Sequence, residues 1–374
     1  MRIRVGDISK INELSLLKND SFDTILYLDT SNLTENKVDT LQKIDLSIDK
    51  LPSRAKRKVR KNTILFSNVR PIQRHYGLLE ETPNNLIVST GFTTLNPDDS
   101  VIDEYFLYYL LTQDSTINYL QMIAENSVSS YPSITSNDIA DLNFVIPDSI
   151  EEQKRTVKII KLIDQKISLN NQINEELEAM AKTLYDYWFV QFDFPNENGK
   201  PYKSSGGKMV YNDQLKREIP EGWGVETLSG LGTIVGGSTP SKSNLDNFVK
   251  SGQGISWITP NDLSKNKGNK FISKGEIDIS EVGRLSANLK IFPKGTVLLS
   301  SRAPIGYLAI ASNELTTNQG FKSFIPNKEY DENYIYYVIK QSMKVIEQNA
   351  SGSTFKEISS TVLGEILVVK PKIN

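Results

Sequence analysis

Apolar residues follow a helical spacing over a long stretch that begins near residue 151. One seam of that pattern reads Ile160, Ile163, Ile167, Asn170, Asn174, Leu177, Ala181, Leu184 and Trp188. No proline or glycine occurs from 151 to 193. Asp148 and Ser149 can cap the start, and Glu151 and Glu152 fall in the first turn, where the helix dipole favours acids. The pattern predicts one helix from about Glu151 to Phe189, and at 1.5 Å per residue it would run to roughly 58 Å. Asn170 and Asn174 interrupt the seam. In a coiled coil such residues fix register at a cost in stability; in an ordinary helix they mark a solvent-facing break. Val157, Ile159, Leu162, Leu169 and Ile173 widen the apolar surface beyond a narrow seam.

The sequence before this helix recurs after it, block by block and in order. Tyr27-Leu-Asp-Thr-Ser-Asn-Leu33 returns as Trp257-Ile-Thr-Pro-Asn-Asp-Leu263. Lys61-Asn-Thr-Ile-Leu-Phe-Ser-Asn-Val-Arg-Pro71 returns as Lys294-Gly-Thr-Val-Leu-Leu-Ser-Ser-Arg-Ala-Pro304. Ser89-Thr-Gly-Phe92 matches Asn318-Gln-Gly-Phe321, and Asp103-Glu-Tyr-Phe-Leu-Tyr-Tyr109 matches Asp331-Glu-Asn-Tyr-Ile-Tyr-Tyr337. The apolar run ending at Pro147 matches the one ending at Pro371. The offset is nearly constant. A period this long excludes a solenoid and fits a duplicated domain of about 150 residues. The expected divisions are a first domain over 1–150, the helix over 151–192, a polar linker over 193–218 and a second domain over 219–374. Ser204-Ser-Gly-Gly-Lys208 reads as a flexible linker or an exposed loop.

Composition narrows the chemistry. The 374 residues contain no cysteine and one histidine, His75. Disulfides and thiolate metal sites are therefore excluded, and a Ser-His triad would rest on His75 alone, which reads as an exposed loop residue. No apolar run is long enough to span a membrane, and the start lacks the apolar core of a signal peptide. A cytoplasmic protein with no membrane partner is expected. Gly230-Leu-Gly-Thr-Ile-Val-Gly-Gly-Ser-Thr-Pro240 lacks the Gly-Lys-Ser/Thr ending of a P-loop and the dinucleotide spacing. It reads as a turn whose backbone amides face a partner. Asn96-Pro-Asp-Asp99 lacks the second proline and the aromatic of an adenine methyltransferase signature. No catalytic residues are assigned, and no metal or cofactor site.

The formal net charge is −2, which weighs slightly against nucleic acid as a partner. Local charge points the other way. Arg54, Lys56, Arg57, Lys58, Arg60 and Lys61 form a basic run, followed by Arg70 and Arg74. A looser group is Lys265, Lys267, Lys270 and Lys274. Such stretches either neutralise phosphates or form a solvated charged face.

Several motifs together resemble the DNA specificity subunit of type I restriction-modification systems. They are Ile146-Pro-Asp-Ser-Ile-Glu-Glu-Gln153, Asn171-Gln-Ile-Asn-Glu-Glu-Leu-Glu-Ala-Met-Ala181, Leu184-Tyr-Asp-Tyr-Trp-Phe-Val-Gln-Phe-Asp193 and Ile219-Pro-Glu-Gly-Trp223. The resemblance covers essentially the whole chain. It implies an α/β (α+β) fold: two similar globular target-recognition domains separated by a long coiled-coil-type helix. Each domain would read one half of a bipartite site in double-stranded DNA. The helix would set the unread gap. Two methyltransferase subunits would dock and carry S-adenosylmethionine, and motor-nuclease subunits would use ATP and Mg2+. This chain would supply address and scaffold without chemistry of its own.

The resemblance also implies a second long helix after the second domain, whereas the sequence ends at Lys370-Pro-Lys-Ile-Asn374. The apolar seam is then expected to be met by self-association or by a helix from another chain. The partner-binding residues expected on it are Ile160, Ile163, Ile167, Asn170, Asn174, Leu177, Leu184 and Trp188. The DNA-binding residues expected in the first domain are Lys56, Arg57, Lys58, Arg60, Lys61, Ser67, Asn68, Arg70 and Arg74. In the second they are Lys242, Ser300, Ser301, Arg302, Asn318, Gln319, Ser351 and Thr354. Arg, Asn and Gln suit bidentate base contacts, and Ser adapts to several. The loops 127–133 and 351–354 occupy comparable places in the repeat. Two other functions remain open at this point: an assembly scaffold that binds methyltransferase without addressing DNA, and a two-lobed enzyme, against which the missing motifs weigh.

Overall fold

The computed structural model describes residues 1–127, 131–266, 268–352 and 356–372. The chain forms two compact units, Met1–Asn170 and Asn171–Asn374. A continuous α-helix, Ile150–Tyr185, contributes its first part to one unit and its second part to the other, and a π-helical turn, Asp186–Val190, extends it.

The first unit holds two four-stranded sheets. One has the order Gln42–Asp45, Thr24–Leu28, Leu86–Ser89, Ala55–Lys58, and the other Ser9–Ile11, Phe92–Pro97, Thr63–Ser67, Tyr76–Leu79. Helices Glu104–Thr112 and Asp114–Glu125 cover the second sheet. Leu107, Leu111, Ile117 and Leu120 meet Ile64, Phe66 and Leu95 in one core. The long helix joins this core through Gln153 and Val157, both buried. The Gln153 amide accepts from Asp103 N at 2.9 Å and donates to Val101 O and Pro147 O, so its oxygen and both its N–H groups are engaged locally.

The second unit repeats the plan. A five-stranded sheet runs Gly232–Gly236, Lys322–Pro326, Val297–Ser301, Ile305–Ala311, Phe271–Ile272. A four-stranded sheet runs Phe248–Lys250, Ile277–Ile279, Ile255–Ile258, Thr316–Thr317. Helix Glu332–Asn349 packs on the larger sheet through Ile335, Val338, Ile339 and Ile346.

The sequence repeat holds at the level of single pairings. Tyr27 faces Ile87 in a parallel pair, and Trp257 faces Thr316 in another. Phe92 pairs with Ser67, and Phe321 with Ser300. Asp103 and Asp331 each cap the following helix by accepting from two backbone amides.

Three sequence expectations change. The glycine-rich 230–240 stretch is not a free turn, because Gly232–Gly236 is an edge strand. A Cβ on Gly237 would stand 2.1 Å from Thr317 O, so glycine there permits close backbone approach rather than ligand contact. The 193–218 segment is folded rather than a flexible linker. Phe194 stacks between Tyr202 and Trp223, Asp193 accepts from Ser204 N and Oγ, and Met209–Asn212 pairs with Arg217–Pro220. His75 is half-buried, with Nδ1 2.7 Å from Leu33 O and 3.1 Å from Thr34 Oγ1, and is not an exposed loop residue. Among the described residues, no helix is long and apolar enough to cross a membrane.

Candidate nucleic-acid interface

In each unit a buried strand ends in a turn that is laced to its surroundings. In the first, Thr63–Ser67 is wholly buried. The Ser67 hydroxyl lies 3.2 Å from both Val69 N and Val69 O and closes the turn. Asn68 N donates to Gly91 O, and Asn68 O accepts from Ile134 N. The Asn68 amide oxygen accepts from Thr93 Oγ1 at 2.6 Å. Val69 bridges to Ser133, and Arg70 N donates to Pro132 O. Arg70 then takes a left-handed backbone, φ 45°, which turns its side chain into solvent.

The second unit builds the same turn with other side chains. Ser300 Oγ donates to Pro304 O and accepts from Tyr307 N, both at 2.8 Å. Ser301 Oγ donates to Gly320 O at 3.1 Å, and Ser301 O accepts from Ile358 N. Arg302 bridges to Glu357 where Val69 bridges to Ser133. Ala303, φ 43°, stands where Arg70 stands. The structure therefore places Ser67, Ser300 and Ser301 inside the fold. Their hydroxyls are satisfied by backbone, and the expectation that they face DNA is corrected.

The basic run of the first unit forms strand Ala55–Lys58 and the turn after it. Lys56 and Lys61 are exposed. Lys58 Nζ is held by Asp20 at 2.9 Å, and Arg60 lies 3.9 Å from Glu13. Asp20 is pushed below the usual carboxylate range by its bond from Leu17 N and then by Lys58. Arg57 is half-buried, and its Nε has no partner among the described residues; burial lowers its pKa. Arg74 pairs with Asp114 at 2.6 Å and with Glu35 at 3.6 Å, and the Asp114 contact raises its pKa further. Thr90 N donates to Arg54 O, next to the Gly91 that receives Asn68, so one end of the unit gathers Arg54, Asn68 and Arg70. Lys61 lies at the far end of the five-residue strand Thr63–Ser67, about 15 Å away.

In the second unit Arg302, Asn318, Gln319 and Ser351 come together. Gln319 Oε1 accepts from the Thr239 hydroxyl, Asn318 Oδ1 accepts from Gly320 N at 2.9 Å, and Ser351 pairs with Glu357 through both backbone bonds. Lys242 is exposed three residues beyond Thr239. Thr354, Lys267 and positions 128–130 lie outside the described residues. Lys270 is turned inward over the Tyr336 and Tyr337 rings, 3.7 Å from Glu178, and Lys265 pairs with Glu276. Sequence reading missed Lys322 and Glu357, which join Arg302 in one ion network. Only the repeat alignment could have brought position 357 beside position 302.

Along the long helix, Ile163, Ile167 and Leu177 are each more than half exposed, at 55%, 54% and 56%. Ile160 and Leu184 are exposed too, as are Asn170 and Asn174, while Trp188 is half-buried against Phe189. The apolar seam is thus uncovered by its own unit over most of its length.

Comparison with known proteins follows the same division. The model of the type I restriction modification DNA specificity domain matches residues 2–179 and again 220–374. The HindI specificity subunit of Haemophilus influenzae, a type I restriction enzyme component, is 29% identical over 98% of this chain and 88% of its own length. The MjaIX specificity subunit of Methanocaldococcus jannaschii is 43% identical over 156 residues, 41% of this chain and 35% of the relative. The solved S subunit of a Type-I restriction-modification system from M. genitalium shares the fold at TM-score 0.52. It is 15% identical, and the match covers 99% of this chain and 84% of that one.

Proposed function

We infer the function from one premise: this chain belongs to the type I restriction-modification DNA specificity family, whose members are non-catalytic recognition subunits that assemble with DNA and other subunits of the system. Within that role it reads a bipartite site, one half with each domain, and docks adenine methyltransferase subunits through the long helix. S-adenosylmethionine, ATP and Mg2+ then belong to the partner subunits.

One observation carries the bipartite reading. The same laced turn occurs twice with different outward chemistry: Asn68, Val69 and Arg70 in one domain, Arg302 and Ala303 in the other. A common scaffold with different donors and acceptors is what reading two unlike half-sites requires. Docking through the helix is supported by its exposed apolar seam, since an uncovered stripe of that kind marks an association surface.

The test is co-expression with the methyltransferase of the same locus, followed by single-molecule mapping of methylated adenine. Two unlike half-sites separated by a constant gap are expected. Co-purification without a sequence motif would replace this reading with that of a scaffold. Failure to co-purify would overturn docking through the helix.

A further inference from the structure

Arg302, Glu357 and Lys322 form a small network at the turn of the second domain. Glu357 Oε2 lies 3.6 Å from Arg302 Nη1, and its Oε1 lies 3.5 Å from Lys322 Nζ. The Lys322 side chain is only 16% exposed, while those of Arg302 and Glu357 are 37% and 38% exposed. Two cations thus share one carboxylate, and the outer cation is Arg302. Glu357 is fixed by backbone bonds to Ser351 on one side, and Ile358 N donates to Ser301 O on the other. Below Arg302 lies Gly320, where a Cβ would stand 3.8 Å from Arg302 Cγ, so the Arg302 stem rests on bare backbone. Gln319 is exposed next to it.

We propose that Glu357 is a positioning residue for DNA recognition, holding Arg302 in one orientation toward a base edge of the second half-site. The inference rests on the recognition role proposed above for this domain. Charge arithmetic favours it. Lys322 balances the Glu357 carboxylate from the buried side, so Glu357 can orient Arg302 while the Arg302 charge stays available to a DNA acceptor. The acceptor is a guanine O6/N7 edge, which a guanidinium meets with two bonds; a phosphate oxygen is the alternative acceptor. The first domain has no such network at this place. Val69 and Thr93 stand at the corresponding positions, and Thr93 Oγ1 bonds Asn68 and Ser136 instead. Orientation by an acid is therefore a property of the second half-site alone.

The test is methylation mapping and binding-site selection with the full chain assembled with its methyltransferase, for wild type, R302A, E357Q and E357D. R302A is expected to lower preference at one position of the second half-site by about tenfold. E357Q should relax that same position and leave the first half-site intact, and E357D should restore most of the preference. If R302A relaxes a position and E357Q does not, the positioning role is overturned while the recognition role stands. If both variants are silent, the recognition role of Arg302 falls with it. An equal loss at all positions, with a salt slope reduced by about one unit, would assign Arg302 to a phosphate and overturn base orientation. If E357Q lowers the melting temperature and weakens both half-sites alike, Glu357 is structural only.

Discussion

The Tyr337 phenol donates to Glu178 Oε1 at 2.9 Å, and this bond fastens helix Glu332–Asn349 to the second part of the long helix. Its counterpart in the repeat, Tyr109, donates to Asp164 Oδ2 at 2.5 Å within the first unit. Each domain therefore holds its own part of the long helix by a tyrosine from the same position of the repeat. In the second unit Lys270 and Lys340 also approach Glu178, at 3.7 and 3.9 Å.

These contacts rank two substitutions. Tyr337→Phe removes one hydrogen bond and should cost about 1 kcal/mol, because Glu178 keeps its lysines. Glu178→Ala strands Lys270, whose side chain is 11% exposed, and should cost roughly 2–3 kcal/mol. Urea unfolding of the full chain measures both. An E178A loss no larger than that of Y337F would remove Lys270 from the account.

Alkaline pH should unfold the second unit. Burial pushes Tyr185, Tyr334 and Tyr337 well above the ordinary tyrosine value, and Tyr336 up to about 12. Each raised group gives stability that is fully present below its unfolded value of 10.0 and is lost as pH climbs through the folded value. Lys270, lowered by burial, works in the opposite sense, one group against several. The urea midpoint should therefore fall steadily above pH 10, together with the appearance of tyrosinate absorbance. A flat midpoint from pH 9 to about 12 would contradict the burial of these rings.

Salt dependence should separate phosphate neutralisation from base reading. Lys56 and Lys61 are exposed, and neither forms an ion pair with a carboxylate among the described residues. Lys56→Ala and Lys61→Ala should each lower the slope of log affinity against log salt by about one unit and leave the sequence motif unchanged. A changed motif would instead place that lysine on a base. Lys58→Ala should act mainly on stability, because Asp20 holds Lys58.

The helix seam makes a further prediction. Ile163→Glu and Leu177→Glu alter exposed positions and should change folding stability by no more than about 0.5 kcal/mol. Each should nevertheless abolish co-purification with the methyltransferase. Normal complex yield from both variants would move the docking surface elsewhere.

Much of this architecture is legible in the sequence because both copies of the domain share local patterns. Tyr27 and Trp257 fall in matching parallel pairs, and Asp103 and Asp331 cap matching helices. The site is less legible, since its decisive contacts link distant positions. Nothing near Lys58 announces Asp20, and nothing near Arg302 announces Glu357. Ser67 and Ser300 look like surface serines because each follows an apolar run and precedes a turn. Only the pairing of Ser67 with Phe92 and of Ser300 with Phe321 puts them inside. The glycines at 232 and 237 read as a loop because close backbone approach leaves no local trace in composition.

The serine-laced turns bear on how such a protein can change through time. The Ser67 and Ser300 hydroxyls secure the turn from within, using backbone atoms alone. The outward residues contribute little to that fastening, as the exchange of Arg70 for Ala303 at one left-handed position illustrates. Point mutations at these outward positions can therefore be sampled without unfolding the domain, and new preferences can arise one side chain at a time. Evolvability of the address is in this sense a mechanical property of two buried hydroxyls.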